Sequence, residues 1–517
     1  MMLASGRRLL ASFVALACVT LAGAVAGSTP SAAATKDCRG SVAGLDLQTV
    51  TIPRLKKALA SGKTTSRDLV EAYLDRIAAY DGQVNSIRAL NPNALRIARR
   101  LDAERRADHI RGPLHGIPVL LKDNINTRDM PTTAGSIALK GSIPLVEATI
   151  TMKLEDSGAI ILGKTNLSEF ANWVDLSMPN GYSSLGGQVH NAYTMGDPSG
   201  SSSGSGVAGS MAFATGTVGT ETSGSILSPS EANSLVGIKP TTGLLSRFGI
   251  IPLAPSFDTP GPMTRNVTDA AIMLGVMAGV DDKDERTADS GEAPSDYTKF
   301  LKTDALKDAR LGYSPGDFGT DLEEAALKVL EKQGATLVET DTLSNTSLVG
   351  LTEIGLIPNE FKASLNQYLA EQTPESLRVR TLSDIIAYNE EHPDKVKYGQ
   401  NLLIASDAMP GIYHPVTAEA TIQSSRAVID ATLVADDLDA IVAPGNTYAN
   451  VSAAAGYPTV VVPAGYAGER NPVGVSFLAD GFSEDRLISF AYDYEQATKL
   501  RVPPTVLNDR LVPKGCG

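Results

Sequence analysis

The sequence predicts an α/β fold, one large domain in which helices are layered on a sheet. Three observations carry that expectation. Short apolar runs flanked by turn residues alternate with segments of helical periodicity, the alternation returns near the C-terminus, and only residues 197–209 have linker composition. In chain order, IPRLKKALASG, SRDLVEAYLDRIAAYDG and NALRIARRLDAERR space their apolar residues as helices do. The first two are expected to stop at Gly62 and Gly82. GIPVLLKDN reads as a buried strand ending at Lys122. VEATITMKLEDSG follows as a helix, AIILGK as a buried strand and TNLSEFANW as a helix capped near Thr165. VAGSMAFA reads as a helix and TGTVGTE as a strand, before a more polar and more helical stretch over roughly 280–420. DAIVAPG, PTVVVPAG and VGVSFLA are strand-like, and SEDRLISFAYDYEQAT closes the alternation as a helix.

Composition narrows the classes. The 517 residues are 43% hydrophobic and 20% charged, ordinary for a globular chain with a substantial core. A net charge of −13 argues against nucleic acid or an anionic membrane as a partner. Arg7 and Arg8 precede an apolar stretch at 9–27, and STPSAAAT then supplies small residues up to Ala34. That order of parts is a secretory signal, so residues 1–34 are expected to be removed. Residues 35–517 would form the folded domain, secreted and without a stable membrane anchor. The remaining cysteines, Cys38 and Cys516, are expected to pair in an exported protein. The histidines, His109, His115, His190, His392 and His414, are scattered without ligand spacing, so neither a metal site nor a cofactor is expected.

Three polar features stand in order along the chain: Lys122 at a strand end, the serines 201–203 in DPSGSSSGSGVAG, and Ser225 in GTETSGSI. A lysine ending an apolar strand is partly desolvated, which lowers its pKa and frees the neutral amine to act as a base. A serine hydroxyl becomes a nucleophile only when a base takes its proton, and a glycine-rich turn can supply an oxyanion hole. A rival reading takes GSSSG at 200–204 as a G-x-S-x-G nucleophile elbow, making an esterase with Ser202 as nucleophile and His392 or His414 as base. The elbow needs a strand before its serine, and TMGDPSG is a poor strand. A third reading is a secreted binding protein that keeps the fold and has lost catalysis.

GSSSGSG, then GTETSGSI and VGIKPTTGLLSRFGIIP, resemble the amidase signature family of serine hydrolases, and within it the bacterial peptide-amidase branch. The likeness extends to PVLLKDNI, TTAGS, ILGKTNLSEFAN, DTPGPMTR and the C-terminal AGYPTVVVPAG with PVGVSFLADGFSEDRLISFAYDYEQAT, and its signature core spans about 110–270. The resemblance implies an α/β/α layered domain with a mixed central sheet and a Ser–cisSer–Lys triad acting on linear amides. The triad would be Lys122 as base, Ser201 as bridge after a cis Gly200–Ser201 bond, and Ser225 as nucleophile. It implies an oxyanion hole from the backbone N–H groups of Thr222, Ser223, Gly224 and Ser225, supported by Gly200, Ser202, Thr220 and Glu221. The implied substrate is a small-molecule or peptide amide. The family's tRNA-dependent amide-transferring role is disfavoured by export and the lack of a basic run. Glu221 stands where many members have Asp, Ser223 where glycine or Asp is frequent, and Glu231 and Ser234 where small or apolar residues are usual. These departures bear on the pocket, and no triad member is lost.

Overall fold

The structure, a computed structural model, describes residues 40–341, 343 and 346–515. Residues 1–34, expected to be a secretory signal, and Cys38 and Cys516 lie outside the described residues. An 11-stranded sheet organises the rest. In chain order its strands are β1 (Ile87–Leu90), β2 (Pro118–Lys122), β3 (Ile160–Thr165), β4 (Gly216–Glu221), β5 (Val236–Lys239) and β6 (Thr259–Thr264). They continue with β7 (Arg310–Tyr313), β8 (Thr336–Glu339), β9 (Ala440–Pro444), β10 (Thr459–Ala467) and β11 (Asn471–Leu478). The spatial order is β8-β7-β9-β11-β10-β5-β6-β4-β2-β3-β1. Pairing is parallel in two blocks, β8-β7-β9 and β4-β2-β3, and antiparallel elsewhere. The sheet is therefore mixed.

Helices cover both faces. Adjacent residues on a strand point to opposite sides. On β4, a side chain at Gly216 would meet Met273 of the helix Val267–Met277. Its neighbour Thr217 bonds the Ser205 carbonyl of the helix Ser203–Ser210, 3.0 Å away. The main apolar core lies in these interfaces, with Val119, Leu121, Val207, Val218, Met273 and Phe477 all buried. A second core joins Phe170, Leu253 and Phe257 to the helices Thr346–Gln372, Leu382–Glu390 and Asn401–Asp407.

Several expected boundaries move, each for a tertiary reason. The helix Ser66–Val84 passes through Gly82 and stops at Asn85, which turns left-handed and donates from Nδ2 to the carbonyls of Gly186 and Gln188. TNLSEFANW is not an α-helix. It makes a 3₁₀ turn at Glu169–Asn172, with Phe170, Ala171 and Asn172 all at positive φ. The buried Glu169 carboxylate takes the Ser184 N–H at 2.6 Å, and Phe170 packs edge-on against Phe361, contacts a straight helix would forfeit. The helix expected in VAGSMAFA begins earlier, at Ser203, and ends at Ser210. Three arginines collect the carbonyls at its end: Arg76 takes Met211, Arg265 takes Gly209 and Ala214, and Arg501 takes Ser210. Cations there satisfy orphan carbonyls and complement the helix dipole.

Candidate active site

The Ser/Gly stretch is not a linker, because residues 201–210 are buried. Its first half is irregular backbone and its second half is the helix Ser203–Ser210, whose small side chains let it lie close against the sheet. The Gly200–Ser201 peptide bond is cis. A side chain at Gly200 would fall 2.7 Å from Ser168 Oγ and 2.8 Å from Asn180 Oδ1, so only glycine fits that approach. The Ser201 carbonyl accepts the Ser168 N–H at 3.1 Å.

Lys122, the last residue of β2, has its amine fully buried. Nζ lies 2.8 Å from Ser201 Oγ, 2.9 Å from Thr220 Oγ1 and 3.3 Å from the Thr220 carbonyl. Asn124 Nδ2 also donates to Thr220 Oγ1, at 3.0 Å. Burial penalises the ammonium form and brings the Lys122 pKa down to about 7, against an opposing pull from the Asp258 and Glu221 carboxylates. A neutral amine at physiological pH is thus accessible.

The loop after β4 brings Ser225 alongside. The Ser202 N–H donates to the Ser225 carbonyl at 3.2 Å, joining the two serine-bearing segments. The Ser202 side chain is committed elsewhere: Oγ donates to the Thr220 carbonyl at 3.0 Å and accepts the Thr220 N–H at 3.2 Å. Glu221 folds the 222–226 turn from within. Its Oε2 accepts the N–H groups of Ile226 at 2.6 Å and Leu227 at 3.0 Å. Gly224 sits at φ +77°, the left-handed conformation that suits glycine. Ser225 is 7% exposed.

A cavity of about 310 Å³ opens beside this cluster. It meets the cluster at Asn124, Thr220 and Thr222. Ile250, Ile251, Pro252, Leu253 and Tyr368 give it an apolar wall, and Ser364, Gln367 and Glu371 a polar one. The long helix Thr346–Gln372 contributes to the cavity through residues 364–372, whereas residues 172–184 do not reach it. Glu231 and Ser234 do not line it either. Glu231 takes the Gly474 N–H at 3.4 Å, its pKa pushed up to about 7 by burial, and Ser234 pairs with the Tyr466 hydroxyl at 2.9 Å.

Sequence reasoning missed Asp258 as a member of the site. Its Oδ1 accepts the Thr222 hydroxyl at 2.5 Å, and its Oδ2 accepts the N–H groups of Leu253 at 2.9 Å and Ala254 at 3.0 Å. The only signal was its place at the head of DTPGPMTR. The elbow reading finds no geometry. Irregular backbone precedes Ser202, His392 Nδ1 is engaged by the Tyr388 carbonyl at 2.8 Å, and His414 is exposed at the start of the helix Pro415–Ala435.

Comparison with known proteins gives a concordant result. A family model described as Amidase matches residues 68–488. A probable amidase of Arabidopsis thaliana is 40% identical over 473 residues, covering 89% of this chain and 92% of the plant protein. The solved peptide amidase of Stenotrophomonas maltophilia superposes with a TM-score of 0.84 at 40% identity, covering 88% of this chain and 98% of that one. An amidase family protein of Bacillus anthracis gives 0.82 at 38% identity, covering 89% and 92%.

Proposed function

The chain belongs to the amidase family and is an amide-hydrolysing enzyme, and from that premise we propose that Ser225 is its nucleophile, Ser201 its proton bridge and Lys122 its base. The observation that carries this reading is the 2.8 Å approach of the buried Lys122 amine to Ser201 Oγ, next to the loop that bears Ser225. Neutral Lys122 takes the Ser201 proton as Ser201 takes that of Ser225. Ser225 Oγ then bonds to the amide carbon. The N–H groups of the 222–225 turn hold the resulting oxyanion, the largest single contribution such a site makes. The C–N bond breaks as Ser201 returns a proton to the departing nitrogen. Water then attacks the acyl ester through the same relay and regenerates Ser225.

C-terminally amidated peptides are the proposed substrates. The likeness to the peptide amidase supports this, as does a cavity with one apolar and one polar wall, suited to a side chain beside a peptide backbone. Export is proposed on the N-terminal pattern ending at Ala34. Among the described residues no helix is long and apolar enough to cross a membrane. Ammonia release from amidated dipeptides, amino-acid amides and short acyl amides tests the substrate reading. The amidated peptides should give the highest kcat/KM, and a preference for short acyl amides over peptides would sink it.

A further inference from the structure

The antiparallel ladder between β4 and β6 ends at the pair Glu221 and Thr259. The next residues across are Thr222 and Asp258, and there the contact continues through side chains, Thr222 Oγ1 donating to Asp258 Oδ1 at 2.5 Å. The other carboxylate oxygen gathers the N–H groups of Leu253 and Ala254. The Ala254 carbonyl in turn accepts the N–H groups of Phe257 and Asp258, each at 2.9 Å, which closes a tight turn. One carboxylate therefore joins two strips of backbone that both face the cavity, since Thr222, Leu253 and Asp258 all line it. Among the described residues no salt bridge holds Asp258. Its hydrogen bonds all come from uncharged donors, which offset the cost of desolvating the carboxylate only in part.

We propose that Asp258 is a positioning residue of the reaction: its carboxylate fixes Thr222, and with it the oxyanion turn, against the 253–254 wall of the substrate cavity. The proposal rests on the reading of 222–225 as the oxyanion turn. Substrate seated on the wall is thereby held in register with the N–H donors that act on its carbonyl. The same carboxylate faces Lys122, as Glu221 does. Glu221 is itself faced by Lys239, and Asp258 by Arg247 and Glu360. Loss of the Asp258 charge removes one of the two carboxylates that favour the Lys122 ammonium.

Two variants of the full chain, assayed for ammonia release across pH, test this. Thr222→Val deletes the tie with little change of shape. It should lower kcat about tenfold or more with KM within about twofold of the parent, because oxyanion donors act at the transition state. Asp258→Asn should lower kcat at least as much and also move the acid limb of the pH profile to lower pH, whereas Thr222→Val should leave that limb in place. If both variants keep kcat within twofold of the parent, or lose activity only in step with melting temperature, the proposal is overturned. Should Asp258→Asn fail to fold, Thr222→Val decides alone. A parent enzyme without amidase activity would instead refute the functional reading on which the proposal rests.

Discussion

A lysine amine takes a proton near neutral pH only where water is kept from its charged form. Lys122 meets that condition by burial, and its two facing carboxylates hold its pKa near 7 rather than lower. Because the neutral amine is the proposed base, kcat/KM should rise with pH through about 7 and then hold level. The linkage has the matching sign. Above the folded pKa and below the ordinary lysine value, the unfolded chain binds a proton that the folded protein does not, so this group's penalty on stability shrinks as pH rises. A flat profile between pH 6 and 8 in the parent would contradict the assignment. The sequence singles out Lys122, Ser201 and Ser225 as candidates because their flanks form recognisable runs in fixed order. It does not single out Asp258, because the donors that give it meaning come from Thr222, 36 positions upstream, and from backbone N–H groups that no sequence motif displays.

At the scale of elements, the turn that bears Ser225 is held by Glu221 rather than by a regular helix end. Its carboxylate accepts two consecutive N–H groups at the start of the helix Leu227–Ala232. Glu221→Ala leaves both donors without that acceptor and should cost about 2–4 kcal/mol in urea unfolding, with a larger proportional loss of activity as the turn loosens. Glu221→Gln, which keeps an acceptor oxygen, should recover much of the stability. An alanine variant as stable as the parent would show that the turn holds itself. The strands around this turn divide by how they read. β2, β3, β9, β10 and β11 are rich in apolar residues, and they and β4 (GTVGTE) were expected within a few residues. β6 reads TPGPMT, and two prolines argue against a central strand. Its pairing with β5 spans only Met263 and Thr264, which leaves Pro260 and Pro262 outside that ladder.

Across the whole molecule, chemistry gathers at one end of the parallel block β4-β2-β3. Lys122 ends β2, Thr165 ends β3, Glu221 ends β4, and the loops leaving those strands carry the cluster. Open α/β sheets commonly place their sites outside the carboxyl ends of parallel strands. The layered α/β class was legible in the alternation of runs. The joining of two parallel blocks through an antiparallel centre was not, because β1, β5, β7 and β8 are only four residues long and β6 carries two prolines. The central claim is that this assembly acylates Ser225. Its most direct test is acid quenching of the enzyme during turnover of an amidated peptide or its ester analogue, followed by mass mapping of the digested chain. The account predicts a mass increase equal to the acyl group on the peptide containing Ser225, lost in Ser225→Ala together with at least about 10⁴-fold of the rate, and retained in Ser202→Ala. Acyl transfer to Ser202, or full turnover by Ser225→Ala, would contradict it.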